Sequence, residues 1–135
     1  MPACQKILIV DDDEDDRFLL ERALNNNGVP EVDSVSSGEE AVEYVSKLKS
    51  DQQPHLIILD LAMRAMSGLD LLRWVRQNSI FDDVPIVVLS NSRNGEEKAT
   101  AIALKAKAFY LKPAQHEGLD EIVKKALEHC RPRSV

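Results

Sequence analysis

Acidic, hydroxyl and ammonium side chains follow four apolar runs of this 135-residue chain, each at the point where its run ends. Asp11 and Asp12 follow KILIV, Asp60 follows LIIL, Ser90 follows VPIVVL, and Lys112 follows AFYL. If these residues meet, their three carboxylates repel one another unless a cation joins them, and such hard oxygen ligands suit Mg²⁺. A hydroxyl and an ammonium beside that metal are the partners that phosphoryl oxygens need, which leaves Asp60 free to act as a nucleophile that forms an acyl phosphate.

The elements that precede these residues decide whether they meet. The four runs are of strand length, and a weaker run at residues 31–35 adds a fifth. Between the runs, apolar residues recur at three- and four-residue intervals, which indicates helices. Five strands alternating with five helices predict an α/β domain, a doubly wound parallel sheet with helices on both faces. The flavodoxin-like strand order 2-1-3-4-5 is expected, and it places the polar residues at one rim, where ligands bind.

Several residues predict where individual elements begin. Ser37 and Ser67, each followed three residues later by an acid, are typical N-caps of the second and third helices. The fourth strand is expected over residues 84–89, with Pro85 marking its start. The fourth helix is expected from about 96 to 106 and, because its apolar face is mostly alanine, we expect it to be loosely anchored.

Length and charge limit the classes of protein that the chain can belong to. A chain of 135 residues has the size of one domain, so we expect a single domain over residues 1–135, with a core of about 5–130 and no output domain. The net charge of −6 argues against nucleic-acid binding. No apolar run approaches the roughly 20 residues that a membrane helix needs, and the N-terminus lacks the apolar core of a signal peptide. These features predict a cytoplasmic protein that binds neither nucleic acid nor membrane.

The cysteines, the histidines and the single tryptophan are not expected to take part in chemistry. Cys4 and Cys130 lie near opposite ends of the chain without Cys-x-x-Cys spacing, so we expect free thiols rather than a zinc site or a disulfide. Trp74 falls between the apolar positions of the third predicted helix, where packing or a partner contact is expected. The three histidines are far apart in the sequence and are expected to be ordinary surface or helix-end residues: His55, His116 and His129.

Taken together, the four motifs resemble those of the receiver domains of two-component response regulators, the CheY-like family. The resemblance covers nearly the whole chain. The motifs that carry it are ILIVDD, LIILDLAM with Gly68 eight residues after Asp60, PIVVLS and FYLKP. Each motif alone is weak, but all four in this order and at these spacings are highly specific.

The resemblance implies a role for each residue at the rim. Asp60 would accept a phosphoryl group from a phosphohistidine on a sensor histidine kinase or a phosphotransfer protein. The chain would be a signalling domain that catalyses only its own phosphotransfer and dephosphorylation. Mg²⁺ would be the cofactor. It would be bound directly by Asp12, Asp60 and the backbone carbonyl of Ala62, and through water by Asp11, while Ser90 and Lys112 would hold phosphoryl oxygens.

The resemblance also implies a route from the site to a protein surface. Phe109, three residues before Lys112, falls at the position of the family's switch aromatic. A phosphoryl group adds about −1.5 to −2 charges, and Ser90 would move toward it and so let Phe109 turn inward. The surface that changes would be formed by the fourth helix, the fifth strand and the fifth helix. It would bind a downstream target protein, unknown from the sequence, or a second copy of the chain as a homodimer.

The sequence departs from the usual family pattern at four positions. Arg64 stands where proline is usual four residues after the phosphoacceptor, which removes a preset backbone angle and adds a cation. Asn91 replaces a small residue after Ser90, and Phe109 lacks the hydroxyl of the tyrosine that some members carry. Lys105 replaces the glycine before the fifth strand. None of these changes removes a catalytic group.

Two other readings of the acidic residues fail on their spacing. Residues 11–16 place acids at alternate positions as a calcium loop would, but Asp16 and Arg22 stand where that loop needs glycine and glutamate. The acids from residue 13 onward are better explained as first-turn residues that complement a helix dipole. An aspartyl-phosphate phosphatase needs Asp-x-Asp at the nucleophile, and the second position here is Ala62. A phosphorylation-independent pseudo-receiver or adaptor stays open as the alternative function, with Arg64 as the feature in its favour.

Overall fold

The computed structural model describes residues 4–49, 52–64, 66–78, 83–91, 93–114 and 117–130, so the expectation for His116 lies outside the described residues. In this part of the chain, strands and helices alternate without exception. They are β1 (Lys6–Val10), α1 (Glu14–Asn26), β2 (Glu31–Val35), α2 (Gly38–Ser46), β3 (Leu56–Leu59), α3 (Gly68–Gln77), β4 (Ile86–Ser90), α4 (Gly95–Ala103), β5 (Ala108–Leu111) and α5 (Glu117–Leu127).

The strands form one parallel sheet in the order 2-1-3-4-5, which confirms the predicted topology. The runs at β1, β3 and β4 are almost continuously apolar because these central strands are covered on both faces. The outer strand β2 is more polar, and its Glu31 and Ser34 are exposed to solvent.

Two separate apolar layers show that helices cover both faces of the sheet, as predicted. On one face, α1 and α5 pack on alternate residues of the central strands, with Leu24 and Val123 in that layer. On the other face, α2, α3 and α4 contribute Val45, Leu72 and Ala101. Among the described residues, none of the helices combines the length and apolar character that crossing a membrane requires.

Two predicted boundaries differ from the structure. β4 begins at Ile86 instead of Val84, because Pro85 has no N–H to donate to the ladder. α4 spans Gly95–Ala103 rather than about 96–106. It ends early because Lys105 adopts a left-handed backbone conformation with φ of 69°, and because Arg76 on α3 donates hydrogen bonds to the carbonyls of Leu104 and Lys105.

The prediction of free thiols is wrong, because Cys4 and Cys130 form a disulfide. Their Cα atoms lie 6.0 Å apart although 126 positions separate them in the sequence. Cys4 precedes β1 and Cys130 follows α5. This last helix returns the chain to the end of the sheet at which β1 starts. Spacing arguments do not detect a pairing that only the topology creates.

Candidate functional site

The carboxyl ends of the central strands bring the predicted residues to one rim of the sheet. The backbone N–H of Asp60 donates to the Val10 carbonyl at 2.9 Å, so the ends of β1 and β3 are level. The backbone N–H of Lys112 donates to the Ser90 carbonyl at 2.9 Å, which aligns the ends of β4 and β5 in the same way. The parallel ladders therefore place the two carboxylate-bearing strands beside the strands that carry the hydroxyl and the ammonium.

Three polar residues of the rim are removed from water. Among the described residues, the buried polar ones are Asp11 (3% exposed), Asp60 (6%) and Ser90 (0%), all at strand ends. Burying carboxylates is costly unless charges or hydrogen bonds compensate them. The core-like burial of these groups therefore indicates that the rim serves a purpose other than stability.

Lys112 supplies the compensating positive charge. Its Nζ lies 2.8 Å from Asp11 Oδ2, 2.7 Å from Asp16 Oδ2 and 3.4 Å from Asp60 Oδ2. Sequence reasoning predicted Asp11, Asp60 and Lys112 at the site, but it interpreted Asp16 only as a helix-dipole acid. The signal that could have found Asp16 is its place in the first turn of α1, directly after the rim residues.

Burial and nearby charges shift the pKa values of Asp11 and Lys112. Burial raises the pKa of Asp11, and the hydrogen bonds from Lys112 and from the Asp13 backbone only partly oppose that rise. For Lys112, burial alone would lower the pKa. The hydrogen bonds to Asp11 and Asp16 and the charge of Asp60 overcome that effect, so the pKa of Lys112 is raised and the ammonium stays protonated.

The carboxylates are arranged in a way that fits Mg²⁺. Ligand oxygens of Asp11, Asp12 and Asp60 all lie within 4.8 Å of one another. Opposite ligands of an octahedral Mg²⁺ with bonds of about 2.1 Å stand about 4.2 Å apart, so these oxygens need little movement to share an ion. Backbone N–H groups orient two of them: Asp13 donates to Asp11 Oδ1 at 2.9 Å, and Ala62 donates to Asp60 Oδ1 at 3.2 Å. The donor set is entirely oxygen, which is the chemistry that Mg²⁺ prefers.

Arg64 contributes to the site through its backbone rather than its side chain. Its N–H donates to Asp12 Oδ2 at 3.3 Å, while the side chain is exposed. A proline at this position has no N–H and could not make this contact. The departure from the family pattern thus brings a hydrogen bond to an acidic residue of the rim.

Gly68 allows α3 to begin against the loop that carries Asp60. Its N–H donates to the Leu61 carbonyl at 3.0 Å. A Cβ at this position would collide with the backbone carbonyl oxygen of Asp60 and with the Leu61 Cα. Glycine is therefore required here by close packing, and the Ser67 and Asp70 side chains complete the predicted capping box of the helix.

The two predicted switch residues lie on adjacent strands. Ser90 is the last residue of β4 and is fully buried. Phe109 pairs with Val88 across the β4–β5 ladder and is half-buried. Phe109 borders a groove of about 530 Å³ whose walls come from the start of α4, from β5 and from α5. The groove is lined by Arg93, Asn94, Gly95, Lys98, Phe109, Tyr110, Leu111 and Ile122.

A five-stranded parallel sheet with paired acids after β1, one acid after β3, a hydroxyl after β4 and a lysine after β5 defines the class of receiver domains. The chain belongs to the response regulator receiver domain family, whose family model matches residues 7–124. It is thus the receiver domain of a two-component response regulator, a signalling domain rather than an enzyme of the usual kind.

Individual relatives agree with this assignment. The chemotaxis protein CheY1 of Helicobacter pylori is 31% identical over 116 residues, which cover 86% of this chain and 91% of CheY1. The two-component response regulator ARR9 of Arabidopsis thaliana is 30% identical over 133 residues that cover 86% of this chain. The match spans only 56% of ARR9, so this chain corresponds to about half the length of that regulator.

Solved structures show the same fold. The phosphorylated cyanobacterial phytochrome response regulator RcpA superimposes with a TM-score of 0.82 at 32% identity, covering 91% of both chains. The response regulator TrrA of Thermotoga maritima, in complex with Mg²⁺ and BeF, gives a TM-score of 0.71 at 30% identity, covering 90% of this chain and 98% of TrrA.

Proposed function

We propose that this receiver accepts a phosphoryl group on Asp60 from a phosphohistidine of a sensor histidine kinase or a phosphotransfer protein. The observation that carries the proposal is the setting of the Asp60 carboxylate. One oxygen accepts the Ala62 N–H at 3.2 Å, and the other lies 3.4 Å from the Lys112 ammonium. A buried carboxylate oriented in this way is suited to act as a nucleophile beside a positive charge.

The transfer itself requires little of the protein beyond positioning. An oxygen of Asp60 forms a bond to phosphorus as the P–N bond of the phosphohistidine breaks, and the electron pair returns to the imidazole nitrogen. The Lys112 ammonium and the Ser90 hydroxyl would each bind an oxygen of the transferred group. Ser90 ends β4, the strand next to β3, and the Lys112 ammonium already lies 3.4 Å from Asp60 Oδ2, so only short movements are needed.

Mg²⁺ is the proposed cofactor, held by Asp11, Asp12, Asp60 and the backbone carbonyl of Ala62. Bound there, it would neutralise charge on the phosphoryl oxygens and the carboxylates. The spacing of the three carboxylates supports this, and so does the similarity to TrrA, which was solved with Mg²⁺ and BeF.

We further propose that the signal leaves the domain through the face formed by α4, β5 and α5. A phosphoryl group on Asp60 would draw Ser90 toward it, and Phe109 would turn into the space that opens. Ile102 and Leu111 are large apolar side chains exposed on α4 and β5, which suits a protein contact. The occupant would be a downstream target protein or a second copy of the chain.

We also propose a domain composition and a cellular location for the native protein. A stand-alone receiver is supported by the near-complete coverage of CheY1, whereas the partial coverage of ARR9 shows that relatives also occur in longer forms. A cytoplasmic location is proposed because the ATP that feeds a histidine kinase is found there. An immunoblot of fractionated source cells, read for chain length and compartment, tests both points.

Intact mass after incubation with acetyl phosphate tests the proposed function. The wild type is expected to gain one phosphoryl group with Mg²⁺ and none with EDTA, and Asp60→Asn is expected to gain none under either condition. Asp83→Asn, which changes an exposed acid before β4, is the matched control and should behave as the wild type does. A folded wild type that takes no phosphoryl group would contradict the proposal and favour the adaptor function.

A further inference from the structure

We propose that Asp16 is a positioning residue that holds the Lys112 ammonium toward α1 and thereby keeps Asp11 and Asp60 available to Mg²⁺. The proposal rests on the proposed function and deepens it. Asp16 has none of the roles that the resemblance implies for the other acids, but it makes the shortest contact of Lys112 at 2.7 Å.

Lys112 has one N–H donor for each carboxylate around it. An ammonium carries three N–H donors, and three carboxylates surround this one. The contacts to Asp16 and Asp11 are 2.7 and 2.8 Å, whereas the Asp60 oxygen lies at 3.4 Å. The Lys112 side chain is 11% exposed and the Asp16 side chain 37%, so the shortest ion pair faces away from the most buried part of the rim.

Local structure holds Asp16 in this place. The Asp13 side chain, as N-cap of α1, accepts the Asp16 backbone N–H at 3.0 Å and so fixes the first turn. Arg17 Nη1 donates to the backbone carbonyl of Asp11 at 2.7 Å, which ties that turn to the end of β1. Asp16 and Lys112 also border a cavity of about 50 Å³ between α1 and α5, so the ammonium has space to adjust.

Loss of the Asp16 carboxylate is expected to weaken the binding of Mg²⁺. Without the Asp16 carboxylate, the freed donor of Lys112 would turn to Asp11 and Asp60, and Mg²⁺ would have to displace the ammonium from both. Loss of one negative charge near the site weakens cation binding in the same direction. Both effects predict that removing the Asp16 carboxylate lowers the affinity for Mg²⁺.

Titration of the full chain with MgCl₂ by isothermal calorimetry measures this effect without any phosphoryl transfer. Asp16→Asn is expected to raise the Kd about fivefold, which corresponds to about 1 kcal/mol. Asp15→Asn is the matched control, because it removes an exposed acid from the same helical turn without touching Lys112. It should change the Kd less than twofold. Asp16→Glu, which keeps the carboxylate, should restore much of the lost affinity.

A double-mutant cycle separates positioning from simple charge. In a Lys112→Met background, Asp16→Asn should change the Kd no more than Asp15→Asn does, because no ammonium remains to be held. An equal effect of Asp16→Asn with and without Lys112 would overturn the inference, as would equal Kd values for the two asparagine variants of the otherwise native chain. A wild type that binds no Mg²⁺ would instead refute the proposed function together with the inference.

Discussion

The backbone N–H of Arg64 donates to Asp12 Oδ2 at 3.3 Å, and it links the loop after β3 to the second acid after β1. Relatives that carry proline at this position cannot form the link, since proline has no N–H. In this chain an acid proposed to bind Mg²⁺ is therefore oriented partly by a residue that departs from the family pattern.

The link can be tested by comparing Arg64→Pro with Arg64→Ala. Both variants lose the exposed guanidinium, but only the proline variant loses the N–H. We expect Arg64→Pro to raise the Kd for Mg²⁺ by about two- to fivefold over Arg64→Ala, the range for a hydrogen bond worth about 0.5 to 1 kcal/mol. Calorimetric titration with MgCl₂ measures the Kd of each variant. Equal Kd values for the two variants would show that the hydrogen bond does not orient Asp12.

The left-handed conformation of Lys105 predicts a stabilising substitution. A side chain at φ of 69° costs roughly 1 to 2 kcal/mol, while glycine adopts this conformation freely but loses more entropy on folding. Lys105→Gly is therefore expected to raise the free energy of unfolding by about 0.5 to 1 kcal/mol in urea titrations. Lys107→Gly is the control, because Lys107 has no positive φ, and it should be destabilising. A Lys105→Gly variant less stable than the wild type would contradict this explanation of the end of α4.

The disulfide predicts a strong dependence of stability on redox conditions. The link between Cys4 and Cys130 closes nearly the whole chain, and in the chain-entropy model such a loop stabilises the fold by up to about 5 kcal/mol. Dithiothreitol should lower the midpoint of urea unfolding of the wild type. The double variant Cys4→Ser, Cys130→Ser should start at the lower midpoint and not respond. Two thiols that react with Ellman's reagent in the native, non-reduced protein would refute the link.

The raised pKa of Lys112 predicts how stability changes at alkaline pH. Because the folded-state pKa lies above the unfolded value of about 10.4, the ammonium stabilises the fold fully below that pH. This contribution is lost as the pH rises through the folded-state pKa. The free energy of unfolding should therefore fall more steeply above about pH 10.4 in the wild type than in Lys112→Met. Lys125→Met, which removes an exposed lysine of α5, should retain the steep fall, and parallel curves for the wild type and Lys112→Met would contradict the prediction.

The residues at the strand ends could be predicted from the sequence because one rule places them. In a parallel sheet, whatever follows each apolar run reaches the same rim, so Asp60 and Lys112 were expected to meet from their positions alone. The ion pair between Asp16 and Lys112 could not be predicted in this way. It depends on how the first turn of α1 lies over the rim, which no periodicity encodes.

Other differences between expectation and structure have the same origin in tertiary contacts. The early end of α4 depends on hydrogen bonds from Arg76, which lies on another helix. The pairing of Cys4 with Cys130 depends on where β1 starts and where α5 ends, and on nothing near either cysteine in the sequence. Local pattern predicts elements and their order, but it does not predict contacts that side chains make between elements.

Asp60, and no other acid of the rim, is proposed to take the phosphoryl group. The most direct test is to treat the protein with acetyl phosphate and Mg²⁺, reduce the acyl phosphate with borohydride, and locate the resulting homoserine by peptide mass spectrometry. We predict homoserine at position 60, absent when EDTA replaces Mg²⁺. Homoserine at position 11, 12 or 16, or none in a protein shown to be folded, would contradict the account.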